Sequence, residues 1–151
     1  EAMKNTPSIE KCIVLKRTNS DIEMKDGMPV VKNVTVAVDC GIVVNPLGAK
    51  NQVEGGVLDG IGHAMYGDFN FKDGAPQAVN FDKYRLIRMQ ETPQVNTYFV
   101  ENDLSQTGLG EPGLPPAGGA VANAIKVATG KRLLKQPFIN QLDASKSKIL
   151  G

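Results

Sequence analysis

The chain has 151 residues, with 17 Lys and Arg against 16 Asp and Glu, and a formal net charge of +1 at pH 7. This length predicts one domain with a core of useful size. The balance of charge gives no reason to expect nucleic acid or an anionic membrane as a partner, and no apolar run is long enough to span a bilayer. The first residue is Glu1 rather than methionine, which is consistent with a processed product or a piece of a longer polypeptide.

The N-terminal part predicts an antiparallel pair of strands. Two runs, "SIEKCIVLKR" and "PVVKNVTVAVDCG", are rich in β-branched residues. In the second run apolar positions alternate from Val34 to Val38, so that one face of the strand is apolar. An Asp-Gly dipeptide that ends at Gly27 lies between the runs and is a strong hairpin signal.

The segment "VVNPLGAKNQVEGGVLDGIGHAMYG" predicts a helix that begins at Pro46. Its apolar residues follow helical spacing and are Leu47, Val53, Val57, Leu58, Ile61 and Met65. Glycines at 55, 56, 60 and 62 each cost about 1 kcal/mol relative to alanine in a helix interior. Four of them in one helix predict that another backbone, or a ligand, comes very close.

The remainder of the chain predicts further strands and one more helix. A strand pair surrounds the Asp-Gly turn at Gly74, and residues 93–102 form another strand. The second helix starts at Pro115 and Pro116 and ends before Gly130 in the manner usual for a glycine after a helix. Its apolar stripe contains Ala117, Ala120, Val121, Ala124, Ile125 and Ala128.

Residues 132–138 suggest a last short strand, and residues 143–151 a frayed tail. Strand pairs that alternate irregularly with two helices predict an α+β fold, in which antiparallel strand pairs pack with two main helices.

Few side chains suggest metal or nucleophile chemistry. Cys12 and Cys40 lie in strand-like runs without metal-ligand spacing, so buried thiols are favoured over a disulfide. His63 is the one histidine, and a surface or core role is favoured over a catalytic one. No metal site made of protein side chains is therefore predicted.

Residues 107–119, "TGLGEPGLPPAGG", contain one ionisable side chain, Glu111, which lies between Gly110 and Pro112. One interpretation makes Glu111 an exposed turn residue, which the composition alone favours. The other makes it a general base in a confined cavity, since the glycines allow a cofactor or substrate to approach the backbone and the proline limits motion. The residues by themselves leave both interpretations open.

Two motifs carry a family resemblance. "GEPGLPPAGGAVANAIKVATGKRL" resembles the C-terminal signature of the molybdenum-binding large subunits of the xanthine oxidase family, and "VAVDCGIVVNPLGAKNQVEGGVLDGIGHAMYG" resembles their cofactor-side segment. The resemblance covers residues 33–138 and is nearest to the isoquinoline 1-oxidoreductase beta subunit type. It implies that residues 1–151 are a single C-terminal portion of a molybdopterin-binding domain of the aldehyde oxidase and xanthine dehydrogenase kind.

The resemblance also implies roles for three residues. Glu111 matches the catalytic glutamate of the family's G-E-P motif, which acts as the general base in a hydroxylation whose oxygen comes from water. Gln52 matches a glutamine that hydrogen-bonds the molybdenum cofactor. Gly110 matches a backbone position beside the metal.

Further implications of the resemblance concern cofactors and partners. They are a molybdenum–molybdopterin cofactor in its cytosine dinucleotide form, 2Fe-2S iron–sulfur clusters in a separate small subunit, and an N-heteroaromatic substrate. The N-terminal remainder of the large subunit supplies further cofactor contacts in this family, so we expect the isolated chain to hold no cofactor and to be inactive. The family type implies a bacterial enzyme of the cytoplasm or periplasm.

Two other functions stay open at this point. One is a family member that oxidises aldehydes, because the reaction is nearly the same and pocket residues decide the substrate. The other is a stand-alone binding or scaffold domain without chemistry. The presence of both Gln52 and Glu111 argues against a scaffold, which has no need of a buried base.

Overall fold

A computed structural model describes residues 13–14, 22–25 and 27–142 of the chain. The strands in this part are β1 (Ile13–Val14), β2 (Ile22–Lys25), β3 (Met28–Val31), β4 (Asn33–Val38), β5 (Phe71–Lys72), β6 (Ala75–Pro76) and β7 (Gln94–Phe99). The helices are α1 (Pro46–Tyr66), α2 (Leu114–Thr129) and α3 (Ile139–Leu142), with a short 3-10 helix at Met89–Glu91. Mixed helices and small sheets confirm the predicted α+β class.

The largest sheet has the strand order β1-β4-β7. β4 pairs with β1 in antiparallel fashion, with Ile13 opposite Val38. β4 pairs with β7 in parallel, and Val38 lies opposite Phe99 at the carboxyl ends of the two strands. Parallel neighbours need a crossover connection, and α1 lies in the connection between these two strands. The sequence had suggested antiparallel pairs only, so this parallel pair is a difference from expectation.

Two hairpins form at the predicted Asp-Gly turns. Gly27 and Gly74 both have φ of 79°, and Asp73 has φ of 51°, as a tight hairpin turn requires. The predicted antiparallel pairing of the two N-terminal runs is confirmed where β1 pairs with β4. The hairpin at Gly27 joins β3 to β2, which lies outside the predicted runs, and the predicted second run is broken at Lys32 into β3 and β4. Val31 and Val34 are both buried, and a spacing of three cannot place two residues on one face of a continuous strand.

The first predicted helix is confirmed, and it begins at Pro46 as expected. The side chain of Asn45 caps it, because its Oδ1 accepts a hydrogen bond from Gly48 N at 3.0 Å. Val53, Val57, Gly60, Ile61, Gly62, Ala64 and Met65 are the buried residues of this helix. Leu47, included in the predicted apolar stripe, is 71% exposed, since it lies in the first turn and the buried face starts at Val53.

Glycine in α1 permits the close packing against α2 that the sequence predicted. A Cβ atom at Gly60 would lie 2.9 Å from Ala117 Cβ and also clash with Leu114 O. Gly56 faces the segment just before α2, where an added Cβ would be 3.6 Å from Gly113 Cα. Gly55, by contrast, has open space around it.

The second helix is confirmed with a start at Leu114, one residue before the predicted prolines. Its buried residues are Ala117, Gly118, Val121 and Ile125. It ends at Gly130, whose φ of 74° is left-handed and whose N–H donates to Lys126 O at 2.8 Å.

The predicted strand over residues 132–138 is wrong. Leu133 and Phe138 are both buried, and a separation of five would place them on opposite faces of a strand. Phe138 N donates to Ala64 O at 2.8 Å, which fixes this irregular segment to α1 instead. The tail at 143–151 and Cys12 lie outside the described residues.

One apolar core unites the sheet and the two long helices. It contains Val36 and Val38 of β4, Val57 and Ile61 of α1, and Ile125 of α2, all at most 2% exposed. Cys40, 3% exposed, lies at its margin as the predicted buried thiol side chain. None of the helices in the described ranges has the length and apolar character that a membrane crossing requires.

Candidate functional site

The candidate site lies at the carboxyl ends of the parallel strands β4 and β7. Two segments leave this edge, the 39–45 loop after β4 and the 100–113 loop after β7. The first turns of α1 begin where the 39–45 loop ends. In sheets with parallel strands, ligands bind in the crevice at this edge, and all three predicted site residues belong to these segments or to α1.

Hydrogen bonds join the two loops along their length. In order along the 100–113 loop, Val100 N donates to Val38 O at 2.8 Å, Leu104 O accepts from Ile42 N at 3.0 Å, and Thr107 N donates to Cys40 O at 2.9 Å. A side-chain bond adds to them, because Asn102 Nδ2 donates to Asp39 Oδ1 at 2.8 Å. These bonds fix the 100–113 loop to the 39–45 loop at several points before it reaches Glu111.

Gly41 is the point of closest approach between these loops. Its φ of 73° lies in the left-handed region, which L-residues with a side chain rarely adopt. A Cβ atom there would lie 2.7 Å from Leu104 O and would also clash with Ser105 O. Both partners are backbone atoms, so no rotation of a side chain could relieve the contact.

Gln52 and Gly110, predicted separately as cofactor-binding residues, are in direct contact. Gln52 Nε2, in the second turn of α1, donates a hydrogen bond of 2.8 Å to Gly110 O. Both residues are exposed. The bond fixes the 100–113 loop to α1 at the residue immediately before Glu111.

A second anchor lies two residues after Glu111. Gly113 is buried against α1, where an added Cβ would be 3.0 Å from Val53 O and 3.3 Å from Val57 N. Leu114 N also donates to Glu111 O at 3.0 Å and closes a turn. The backbone of Glu111 is therefore held between two contacts with the same helix.

The side chain of Glu111 is exposed. The sequence left two interpretations open, an exposed turn residue and a base in a confined cavity, and the described part of the chain leaves the side chain open to solvent. Exposure alone is compatible with both interpretations of Glu111, a turn residue and a base. Any walls around the carboxylate must come from outside the described residues.

The surface at this site fits a pterin-type cofactor. Gly108 and Gly110 have open space on their outer side, since an added Cβ would meet nothing within 4 Å. Gln52 uses Nε2 for Gly110, and its Oε1 receives no hydrogen bond from the described residues. A ligand with N–H donors can therefore reach both an amide oxygen and a bare stretch of backbone.

Other titratable groups lie away from this edge. His63 is half-exposed, with Nε2 3.5 Å from Asp59 Oδ1 one helical turn earlier, which fits the surface role favoured for it. At the opposite end of α1, burial and the nearby Glu91 carboxylate raise the pKa of Tyr66. Within the described ranges, no three His, Cys, Asp or Glu side chains come together as a metal site.

Reasoning from the sequence missed the residues that hold the two loops together. Gly41, Asp39 and Asn102 all lie just after the ends of β4 and β7. Recognising them required the parallel pairing of these strands, which a one-dimensional pattern does not reveal. The glycine directly after a strand, in "DCG", was the available signal.

A family model described as a molybdopterin cofactor-binding domain matches residues 18–93, which are half of the chain and include Gln52. The chain belongs to this family. Two curated relatives support the assignment to the molybdopterin-binding part of the xanthine oxidase family.

Isoquinoline 1-oxidoreductase subunit beta of Brevundimonas diminuta is 36% identical over 108 residues, which cover 72% of this chain and 14% of that protein. A membrane-bound aldehyde dehydrogenase (pyrroloquinoline-quinone) of Gluconacetobacter polyoxogenes is 31% identical over 134 residues, which cover 89% of this chain and 17% of that protein. The chain thus spans about a sixth of the length of the relatives it matches.

A solved structure agrees with the fold. The aldehyde oxidoreductase of Desulfovibrio gigas superimposes with a TM-score of 0.64 and 28% identity over 74% of this chain and 13% of that protein. The molybdopterin cofactor class and the α+β architecture therefore rest on sequence and on structure.

Proposed function

We propose that this chain is the C-terminal portion of the large subunit of a molybdenum hydroxylase that inserts water-derived oxygen into N-heteroaromatic compounds. The observation that carries the proposal is the hydrogen bond from Gln52 Nε2 to Gly110 O, because it joins the helix and the loop that hold the predicted site residues. Membership of the molybdopterin cofactor-binding family supports the cofactor class. The 36% identity with an isoquinoline 1-oxidoreductase subunit favours the substrate class.

Gln52 and the backbone at Gly110 hold the molybdopterin cofactor in this proposal, in its cytosine dinucleotide form. Gln52 can accept a hydrogen bond from the cofactor through Oε1 while Nε2 keeps the loop in place. When bound, the cofactor would supply two-electron oxidation of the substrate, with 2Fe-2S clusters in a small subunit as the proposed electron acceptors.

Glu111 is the general base of the proposed reaction. Its carboxylate accepts a proton from the water-derived oxygen that enters the substrate, so it must be both accessible and fixed in position. The exposed side chain meets the first requirement. The contacts of Gly110 with Gln52 and of Gly113 with Val53 meet the second.

The isolated chain should bind no cofactor and catalyse no reaction. Its site is open on the side away from α1, where Gly108, Gly110 and Glu111 face solvent. Water in an open site weakens electrostatic interactions and competes for hydrogen bonds. The N-terminal remainder of the large subunit is the proposed source of the missing walls.

The test uses Glu111→Gln in the full-length subunit, with Asp103→Asn as a matched control at an exposed carboxylate of the same loop. An amide of the same size cannot accept the proton, so kcat should fall by a factor of about 100 to 10,000. Molybdenum content should stay at the wild-type level in both variants, and Asp103→Asn should keep wild-type turnover. Wild-type turnover in Glu111→Gln would refute the base assignment.

An aldehyde-oxidising enzyme is the second candidate function. It is favoured by the 31% identity over 89% of the chain with a protein named an aldehyde dehydrogenase and by the 28% identity with an aldehyde oxidoreductase of known structure. Turnover of the full-length enzyme with isoquinoline-type compounds and with aldehydes, compared as kcat/KM, distinguishes the two. A protein that lacks molybdenum and turns over neither class would support the scaffold alternative.

A further inference from the structure

The segment between α1 and β7, residues 67–92, has no buried residue, although every one of its residues is described. It nevertheless contains a concentration of exposed large apolar side chains. They are Phe69, Phe71, Val79, Phe81, Leu86 and Met89. We refer to residues 67–92 as the 67–92 surface. Contiguous apolar patches on a folded protein mark sites that another protein segment covers.

The aromatic side chains of this surface are ordered against one another rather than against the core. Phe69 packs edge-to-face on Phe71 with ring centroids 5.1 Å apart, and on Tyr84 at 5.8 Å. Phe71 is still 64% exposed, Phe81 76% and Met89 90%. Phe69, Phe71 and Tyr84 therefore form an aromatic cluster, and Phe81 and Met89 are further apolar side chains of the 67–92 surface that the described chain leaves exposed.

Arg85 supplies a second and independent observation. Its guanidinium lies over the Tyr66 ring, 3.5 Å from the ring centroid, and it forms an ion pair with Glu91. Its Nε and Nη1 atoms are buried and have no hydrogen-bond partner. Buried donors are nearly always satisfied in a native protein, so the surroundings of Arg85 are incomplete in the described part of the chain.

Clefts surround Arg85 on three sides. Their volumes are about 540, 310 and 200 Å³, and Arg85 is in the wall of each. The largest runs along Arg88, Met89 and Gln90. Side chains of a docked segment can therefore enter next to Arg85.

The charges of the surface indicate which kind of partner it fits. The basic residues Lys72, Lys83, Arg85 and Arg88 equal in number the acidic residues Asp68, Asp73, Asp82 and Glu91. A neutral and aromatic-rich surface suits a permanent apolar interface rather than an encounter that charge directs. A contact between two parts of one polypeptide is a permanent interface of this type.

We infer that the 67–92 surface is the docking surface for another part of the same large-subunit polypeptide. The docked part covers Phe71, Phe81 and Met89 with apolar side chains and fills the clefts next to Arg85. The inference depends on the proposed function, because the chain spans only 14% and 17% of two relatives and the remaining length supplies the occupant. The inference is therefore wrong if the occupant is a second copy of the chain or a small subunit.

Oxidation of methionine by dilute hydrogen peroxide tests the inference in the full-length large subunit. Methionine oxidises at a rate that follows its exposure, and mass spectrometry reports the rate at each site. Each native rate is divided by the rate of the same site in urea, with Met65, 2% exposed, as the buried reference. The measurement needs no activity, so its result is separate from that of the Glu111→Gln test.

Met89 should lose its reactivity in the large subunit purified alone at low concentration and oxidise as slowly as Met65. Oxidation of Met89 at its urea rate would overturn the inference, even if the enzyme is active and contains molybdenum. Two other results would also overturn the inference, because the occupant would then be another chain. One is protection of Met89 that appears only when the small subunit is added. The other is protection that appears only at concentrations at which the large subunit dimerises.

Discussion

Gln52 and Gly110 lie 58 positions apart in the sequence and are joined by one hydrogen bond, in which Gln52 Nε2 donates to Gly110 O at 2.8 Å. The bond connects the start of α1 to the loop that follows β7. It gives Gln52 a structural role in addition to its proposed contact with the cofactor. Changes at Gln52 should therefore affect cofactor retention and loop order together.

Replacement of Gln52 by alanine in the full-length subunit should reduce bound molybdenum, because it removes the amide oxygen proposed to face the cofactor. Gln52→Glu keeps an acceptor but cannot donate to Gly110 O, so it should loosen the loop and retain more molybdenum than Gln52→Ala. Asn51→Ala, at an exposed neighbour, is the control. Molybdenum per subunit is the measurement, and a wild-type value in Gln52→Ala would exclude the proposed contact.

The Gly60→Ala change should destabilise the chain, because the new Cβ would clash with Leu114 O and Ala117 Cβ. Overpacking of this kind costs about 1–3 kcal/mol. Gly55→Ala, in the same helix but with open space, should instead increase stability by up to about 1 kcal/mol through helix propensity. Urea unfolding measures both. Equal free energies of unfolding for the two variants would contradict the observed packing of α1 on α2.

Gly41→Ala should displace the 100–113 loop, because the added Cβ meets backbone atoms of Leu104 and Ser105. Gly27→Ala is a matched control, since Gly27 has a similar positive φ but nothing within 4 Å. Both changes introduce backbone strain of about 1–3 kcal/mol, whereas only Gly41→Ala adds a clash. Amide hydrogen exchange should accelerate over residues 104–111 in Gly41→Ala alone. The same exchange pattern in both variants would mean that backbone strain, not the contact, dominates.

The Tyr66 ring should make stability depend on alkaline pH. Burial raises the pKa of Tyr66, the Glu91 carboxylate adds to the effect, and Arg85 opposes it. The unfolded chain then loses the phenol proton near pH 10 while the folded chain still holds it, so the free energy of unfolding falls as pH rises from about 10 through the folded pKa. Below that range the contribution is fully present.

Tyr66→Phe removes the ionisable group and should flatten this fall. Urea unfolding of both proteins at about pH 8 and about pH 11 is the comparison. A decline in Tyr66→Phe as steep as in the wild-type chain would show that other groups cause the alkaline loss.

The local elements were predictable because each has a local cause. Pro46 and Gly130 bound the two long helices, and alternation at Val34, Val36 and Val38 identified the central strand. The parallel partner of that strand was not predictable, since alternation specifies a face but not a neighbour. The only sign of the break at Lys32 in the sequence is the spacing of three between Val31 and Val34. The β-branched residues on both sides of Lys32 suggested one continuous strand instead.

Some features of the candidate site were likewise predictable from the sequence, and others were not. Its residues were named from the family motifs around Gln52 and Glu111, and the glycines of α1 predicted a close approach there. No spacing in the sequence indicates that Gln52 contacts Gly110 or that Gly41 lies against Ser105, because these contacts join loops from two separate strands. Glu111 is exposed in the described residues, which leaves both interpretations of this residue open.

The proposal that this chain is part of the large subunit of a molybdenum hydroxylase is tested by the polypeptide mass and molybdenum content of the native protein. An antibody to this chain recovers the protein from its source cells, and mass spectrometry and elemental analysis follow. We expect a polypeptide much longer than 151 residues that contains molybdenum and copurifies with an iron–sulfur subunit. A native species of 16.2 kDa without metal, or a longer one with pyrroloquinoline quinone and no molybdenum, would contradict the proposal.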